Sequence, residues 1–154
     1  MGGADGWVLS LHDDVPQDAA QVVDAGLSSF NASAAPLHEV RALSCFARDA
    51  SGRIIGGAVG RSWGLCCELQ QLWVEPVARR KGLGTSILRA FEGRARERGC
   101  RTFYLETFSF QAPDFYRSQG YAVGLALRGM APGVVKYIMV REEMREVSDA
   151  AENG

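Results

Sequence analysis

The sequence lacks any long apolar run. Nothing in its 154 residues approaches the roughly 20 consecutive apolar residues of a membrane-spanning helix. Its first residues, Met-Gly-Gly-Ala-Asp-Gly, have neither the basic nor the apolar region of a signal peptide. It also lacks an excess of either charge: 17 Lys and Arg against 18 Asp and Glu leave a formal net charge of −1, which removes the electrostatic case for nucleic acid. A cytoplasmic protein with no membrane or nucleic-acid partner is therefore expected. Histidine occurs only twice, at His12 and His38, and the four cysteines form no CxxC pair. Adjacent Cys66 and Cys67 point to opposite faces of any strand that holds them, so no metal site is expected. The cysteines are read as reduced and mostly buried. No internal repeat and no interdomain linker is visible.

What is there suits one domain spanning residues 1–154, long enough to bury roughly 70% of its unfolded surface. Trp7 to His12 reads as a first strand, and Asp13, Asp14 and Pro16 open a helix. Ala20, Val23, Leu27 and Phe30 recur at helical spacing over Gln17 to Phe30, followed by a small, polar loop to Pro36. Leu43 to Asp49 and Ile54 to Trp63 flank Ala-Ser-Gly-Arg as a hairpin, with Gly56, Gly57 and Gly60 marking a close approach in its second arm. Cys66 to Val74 is a further strand. The clearest helix follows, with Ile87, Leu88, Phe91 and Ala95 as its apolar stripe, Arg89, Glu92 and Arg96 facing water, and Gly99 at its end. Thr102 to Phe108 is a central strand, Gln111 to Gln119 a short helix, and Tyr121 to Leu127 and Val134 to Val140 are two last strands. The tail from Glu142 is expected to fray. The order describes an α/β (α+β) fold: a mixed, mostly antiparallel central sheet of six to seven strands with helices on both faces.

The chemistry concentrates in Leu72-Trp73-Val74-Glu75-Pro76-Val77-Ala78-Arg79-Arg80-Lys81-Gly82-Leu83-Gly84-Thr85. A buried strand runs into a loop of Arg, Lys and Gly and then directly into an amphipathic helix. The first turn of a helix carries unpaired N–H groups and a partial positive charge, and Gly82 and Gly84 present no Cβ to an approaching oxyanion. A dinucleotide-binding GxGxxG needs glycine where Ile87 stands, and a P-loop needs Gly-Lys-Ser/Thr after four free positions; neither fits.

Arg79-x-x-Gly82-x-Gly84 after Val74-Glu75-Pro76 resembles the acetyl-CoA pyrophosphate loop of the GNAT acetyltransferase superfamily. Phe115-Tyr116-Arg117-Ser118-Gln119-Gly120-Tyr121 is similar to that superfamily's late aromatic segment. The resemblance covers about residues 43 to 140. It implies a GNAT-like fold, acetyl-CoA as acetyl donor, no metal, and a small-molecule amine as acceptor. It also implies that backbone N–H groups from Arg79 through Arg80, Lys81, Gly82, Leu83 and Gly84 to Thr85 hold the pyrophosphate. The backbone of Leu72, Trp73 and Val74 then pairs with the pantetheine arm, and Ser109 stands where many members carry an asparagine that bonds this arm. Resemblance to small members also implies a homodimer through the C-terminal strands, where Val134, Val135, Ile138 and Val140 are apolar.

Transfer of an acetyl group to an amine requires a proton donor for the leaving thiolate and a proton acceptor for the attacking ammonium. Tyr116, placed by the resemblance near the coenzyme sulfur, is the expected acid, because a phenol is protonated at neutral pH. Glu68, in the apolar run Cys66-Cys67-Glu68-Leu69, is the expected base, with Glu106 as its rival; the resemblance adds that some members place a catalytic glutamate at this spacing, eleven residues before Arg79. Gln70, expected on the face of Glu68 by strand alternation, Glu106 and His38 are the expected acceptor-binding residues. The competing function is a non-catalytic acyl-CoA-binding module with the same fold.

Overall fold

The computed structural model describes residues 6–34 and 39–144, which divide into two units, residues 1–38 and 39–154. In the first unit, helix α1 (Gln17–Ala34) starts after Pro16, whose carbonyl accepts the Ala20 N–H at 2.9 Å. The helix runs past Phe30 to Ala34, into the segment read as loop, whose last residues lie outside the described ones. There the Ser33 hydroxyl donates back to the Phe30 carbonyl at 2.7 Å, a bond that lets a polar residue continue a helix. The strand expected at Trp7 to His12 does not form. No ladder pairs these residues, and Trp7, Val8, Leu9 and Leu11 are exposed; an extended run becomes a strand only through a neighbour.

The second unit is built on six strands: β1 (Val40–Arg48), β2 (Ile54–Trp63), β3 (Cys66–Val74), β4 (Thr102–Phe108), β5 (Ala122–Arg128) and β6 (Val135–Glu142). Their spatial order is β1-β2-β3-β4-β6-β5, and every neighbouring pair is antiparallel except β3 with β4. The parallel pair requires a crossover, supplied by α2 (Leu83–Glu97), while α3 (Pro113–Ser118) joins β4 to β5. Strand β6 is interior and Val135 is buried, so the C-terminal edge of the sheet is β5 rather than the apolar run of β6.

Helix α2 seats the stripe expected of it: Ile87, Leu88, Phe91 and Ala95 are buried against Leu43, Ala58, Cys67, Leu69, Phe103 and Leu105 of the sheet. Tyr116 of α3 and Met139 of β6 belong to the same cluster, so α2 and α3 share one face. Gly60 lets α2 come this close, since a Cβ there would collide with the Glu68 carbonyl and the Phe91 ring. Glu92 departs from its expected exposure. It is 1% accessible, accepts from Arg141 at 2.9 Å and from the Tyr121 hydroxyl at 3.3 Å, and pairs with Arg96 at 3.7 Å. Burial pushes its carboxyl above the ordinary range, against the opposing pull of Arg141 and Arg96. Just past β6, the Glu143 carboxylate receives both Arg96 and Arg141, while the expected frayed tail from residue 145 onward lies outside the described residues.

Candidate active site

Strand β3 begins with neighbours on both sides and ends with one. Cys66 to Leu69 pairs with β2 and, in parallel, with β4, and Leu69 opposite Leu105 is the last parallel pair. The next residue, Gln70, is an inserted one: Leu69 faces Gly60, but Gln71 faces Val59. A bulge of this kind bends its strand and ends pairing. From Gln70 to Val74, β3 has β2 as its one strand partner, and its other side faces a gap that opens towards β4. The bulge also interrupts the alternation: Leu69 and Leu72, three apart, both stand opposite buried positions of β2, Gly60 and Ala58, so a period of two does not carry through Gln70.

Between Gln70–Leu72 and Leu105–Thr107 lies a cavity of about 220 Å³, closed by Gln111, Ala112 and Tyr116. A wider cleft of about 640 Å³ runs from Leu72, Trp73 and Val74 to the start of α2, where Arg79, Arg80, Gly82, Gly84 and Thr85 line it opposite Phe110 and Phe115. Tyr116 and Gln111 border both spaces, so the two meet there. Lys81 is exposed outside the cleft lining, and Leu83 turns inward against the core.

The start of α2 is built to receive an anion. Gly82 takes the N-cap position at φ 82°, left-handed backbone that favours glycine, and no side chain caps the helix. The first N–H to find a helical carbonyl is that of Ser86, which donates to Gly82 at 3.0 Å. The N–H groups of Leu83, Gly84 and Thr85 precede it and have no earlier carbonyl within the helix. No acidic residue occupies the first turn. Arg80, at φ 61°, is the non-glycine residue with left-handed backbone among the described ones, and Arg79 steadies the loop by donating from Nε to the Val74 carbonyl at 2.8 Å. A diphosphate fits this donor set in charge and in its need for several N–H groups at once.

Tyr116 is 8% accessible and packs edge-on to Phe115 and Tyr121, with ring centroids 5.2 and 6.0 Å away. Burial pushes its phenol up to about 12, so the proton stays on Oη across the neutral range. Glu68 lies beside the gap without lining it. The Arg61 Nε–H donates to its carboxylate at 2.6 Å, and Tyr104, opposite it in the parallel register, has its phenol raised by burial and by the Glu68 charge. Glu106 lines the gap itself and pairs with Lys136 at 2.6 Å. Ser109 is turned to the start of β6, where its hydroxyl accepts the Val135 N–H at 3.1 Å, and it does not line the cleft. His38 lies outside the described residues.

Three contributors escaped the sequence reading. Gln111 holds the turn after β4 by accepting the Phe108 N–H at 2.8 Å, a contact that no pattern in the letters announces. Arg61 and Lys136 sit on strands as ordinary alternating charges; the register sets Arg61 opposite Glu68, whereas the Lys136–Glu106 pair shows only in the side-chain contact.

The sequence matches the Acetyltransferase (GNAT) family over residues 13–121. A blasticidin-S acetyltransferase of Streptomyces morookaense is 36% identical over 111 residues, covering 70% of this chain and 82% of the relative. The crystal structure of an acetyltransferase from Bacillus cereus superposes with a TM-score of 0.79 at 25% identity, covering 86% of this chain and 97% of the other. The fold is also shared with the PaiA N-acetyltransferase of Thermoplasma acidophilum, solved in complex with coenzyme A. There the TM-score is 0.57 at 21% identity, over 66% of this chain and 61% of that one.

Proposed function

The chain belongs to the GNAT acetyltransferase family, and on that premise we propose that it moves the acetyl group of acetyl-CoA onto a primary amine of a small polar molecule, with both substrates bound together. The name of the Streptomyces relative, which acts on blasticidin S, supports a small-molecule acceptor. Acetyl-CoA supplies the acetyl group as an activated thioester. The N–H groups of Leu83, Gly84 and Thr85, with Arg79 and Arg80, hold the pyrophosphate, and the unpaired side of Leu72 to Val74 receives the pantetheine arm as a strand neighbour.

In this reading Tyr116 keeps its Oη proton until sulfur leaves and then gives it to that atom, so that one C–S bond is exchanged for one C–N bond. Glu106 draws the acceptor's ammonium into the gap. Glu68, held by Arg61 on the face of β3 beside it, takes the proton that the amine must lose, through water. Gln70 and Gln111 orient the acceptor's polar groups. A homodimer, if formed by the C-terminal strands, uses edge strand β5.

The observation that carries the proposal is the meeting, at Tyr116, of an uncapped helix start with a gap between parting strands. The test is a panel of amines with free thiol released from acetyl-CoA as the signal. Amine-dependent release is expected. Tight acetyl-CoA binding without release from any amine supports the non-catalytic module instead.

A further inference from the structure

Glu106 is the one carboxylate among the described residues that line the gap, and its charge is already matched. The Lys136 ammonium lies 2.6 Å from it, reaching over from β6, where Ile138 rather than Lys136 stands opposite Glu106 in the ladder. Lys136 also lies 5.6 Å from the centre of the Phe108 ring, whose neighbour Phe110 stacks on it at 5.2 Å and borders the acetyl-CoA cleft. The second carboxylate beside the gap, Glu68, is matched in the same way by Arg61. Each of the two acids at the gap is thus balanced by one base.

That balance discriminates among acceptors. A polycation is drawn by an excess of acid, and none is present. A lone ammonium entering the gap takes Glu106 from Lys136 and leaves the lysine unpaired beside an aromatic ring, at a cost in desolvation. A molecule carrying an ammonium and a carboxylate together exchanges one ion pair for two. Its ammonium takes Glu106 and its carboxylate takes Lys136. Both side chains have the freedom to part, since Glu106 is 48% and Lys136 25% accessible.

We propose that the acceptor is a zwitterion, a small amine bearing a carboxylate, and that Lys136 is the residue that selects it. This rests on the acetyltransferase reading of the same site. The test uses the full-length protein, acetyl-CoA, and L-alanine, β-alanine, L-lysine and L-arginine, each beside its methyl ester. At least one acid is expected to exceed its ester at least tenfold in kcat/KM, since the site then leaves no charge unpaired. Lys136→Gln is expected to bring that ratio to within about threefold by losing the acid and keeping the ester, and Lys136→Arg to restore most of it. Esters that match or exceed the acids overturn the proposal, as does a ratio that survives Lys136→Gln, or a failure of every acid to be acetylated. Acetyl-CoA binding is measured by calorimetry on the same samples. Its absence refutes the acetyltransferase reading, whereas its presence beside any of those outcomes refutes only the zwitterionic acceptor.

Discussion

The two halves of β3 differ in pairing and in burial. Cys66 to Leu69 is flanked by β2 and β4 and contributes Cys67 and Leu69 to the core. Burial pushes the Cys67 thiol up to about 12, so it behaves as a small apolar residue rather than a nucleophile. Gln70 to Val74 has one neighbour, two exposed glutamines and an exposed tryptophan. One inserted residue separates them. The difference teaches that a single strand can be scaffold and site in sequence: the paired half fixes where the unpaired half points, and the unpaired half keeps backbone groups free for a ligand.

The comparison breaks first if stability does not follow pairing. Leu69→Ala removes a side chain that is 5% accessible and is expected to cost about 2–5 kcal/mol in urea unfolding. Trp73→Ala, four residues on and 50% accessible, is expected to shift stability by about 0.5 kcal/mol or less while weakening acetyl-CoA binding. Equal losses of stability would erase the distinction between the halves.

A smaller effect tests the chemistry placed opposite the unpaired half. Tyr116→Phe is expected to bind acetyl-CoA normally and to lose at least about tenfold in kcat, as lost acid catalysis does. Unchanged turnover in pre-steady-state measurements would reduce Tyr116 to a packing residue. Glu68→Gln is expected to lose activity near neutral pH and to recover in part at high pH, where more of the acceptor arrives deprotonated. Glu106→Gln is expected to raise the acceptor KM with little rescue. Rescue by pH in Glu106→Gln alone would exchange the two roles.

The smallest effect concerns Glu143, just past β6. Hydrogen bonding from Arg96, ahead of the charges of Arg96 and Arg141, holds the Glu143 carboxyl below its ordinary range. A lowered carboxyl adds stability that is complete above the ordinary carboxylate pKa of about 4.3 and fades as pH falls through its folded value. Glu143→Gln is therefore expected to cost about 1 kcal/mol at pH 7 and less at pH 3, by urea unfolding at both. A difference of the same size at both values would remove the ion pairs from the account.

Much of this was legible in the letters where a local rule decides. The stripe Ile87, Leu88, Phe91 and Ala95 named the buried face of α2, Thr102 to Phe108 marked β4 to the residue, and Arg79-x-x-Gly82-x-Gly84 marked the uncapped start of α2. What escaped depends on distant partners. Glu92 is buried because Tyr121 and Arg141 meet it from 29 and 49 residues away, so helical periodicity alone sent it to solvent. The bulge at Gln70 adds a residue without a glycine or proline to announce it, so strand alternation does not carry past it. Trp7 to His12 has the composition of a strand but no ladder.

The central claim is that the uncapped start of α2 and the unpaired half of β3 together hold acetyl-CoA. Calorimetric titration of acetyl-CoA into the wild-type protein and into Gly84→Asp tests it most directly. A Cβ at position 84 meets Phe115 and Val74 at 3.7 Å, ordinary contact, so the fold tolerates a side chain there while a carboxylate repels the phosphates. The account predicts saturable binding to the wild type and none to Gly84→Asp, with the two melting temperatures alike. Equal affinity in the two proteins would contradict it.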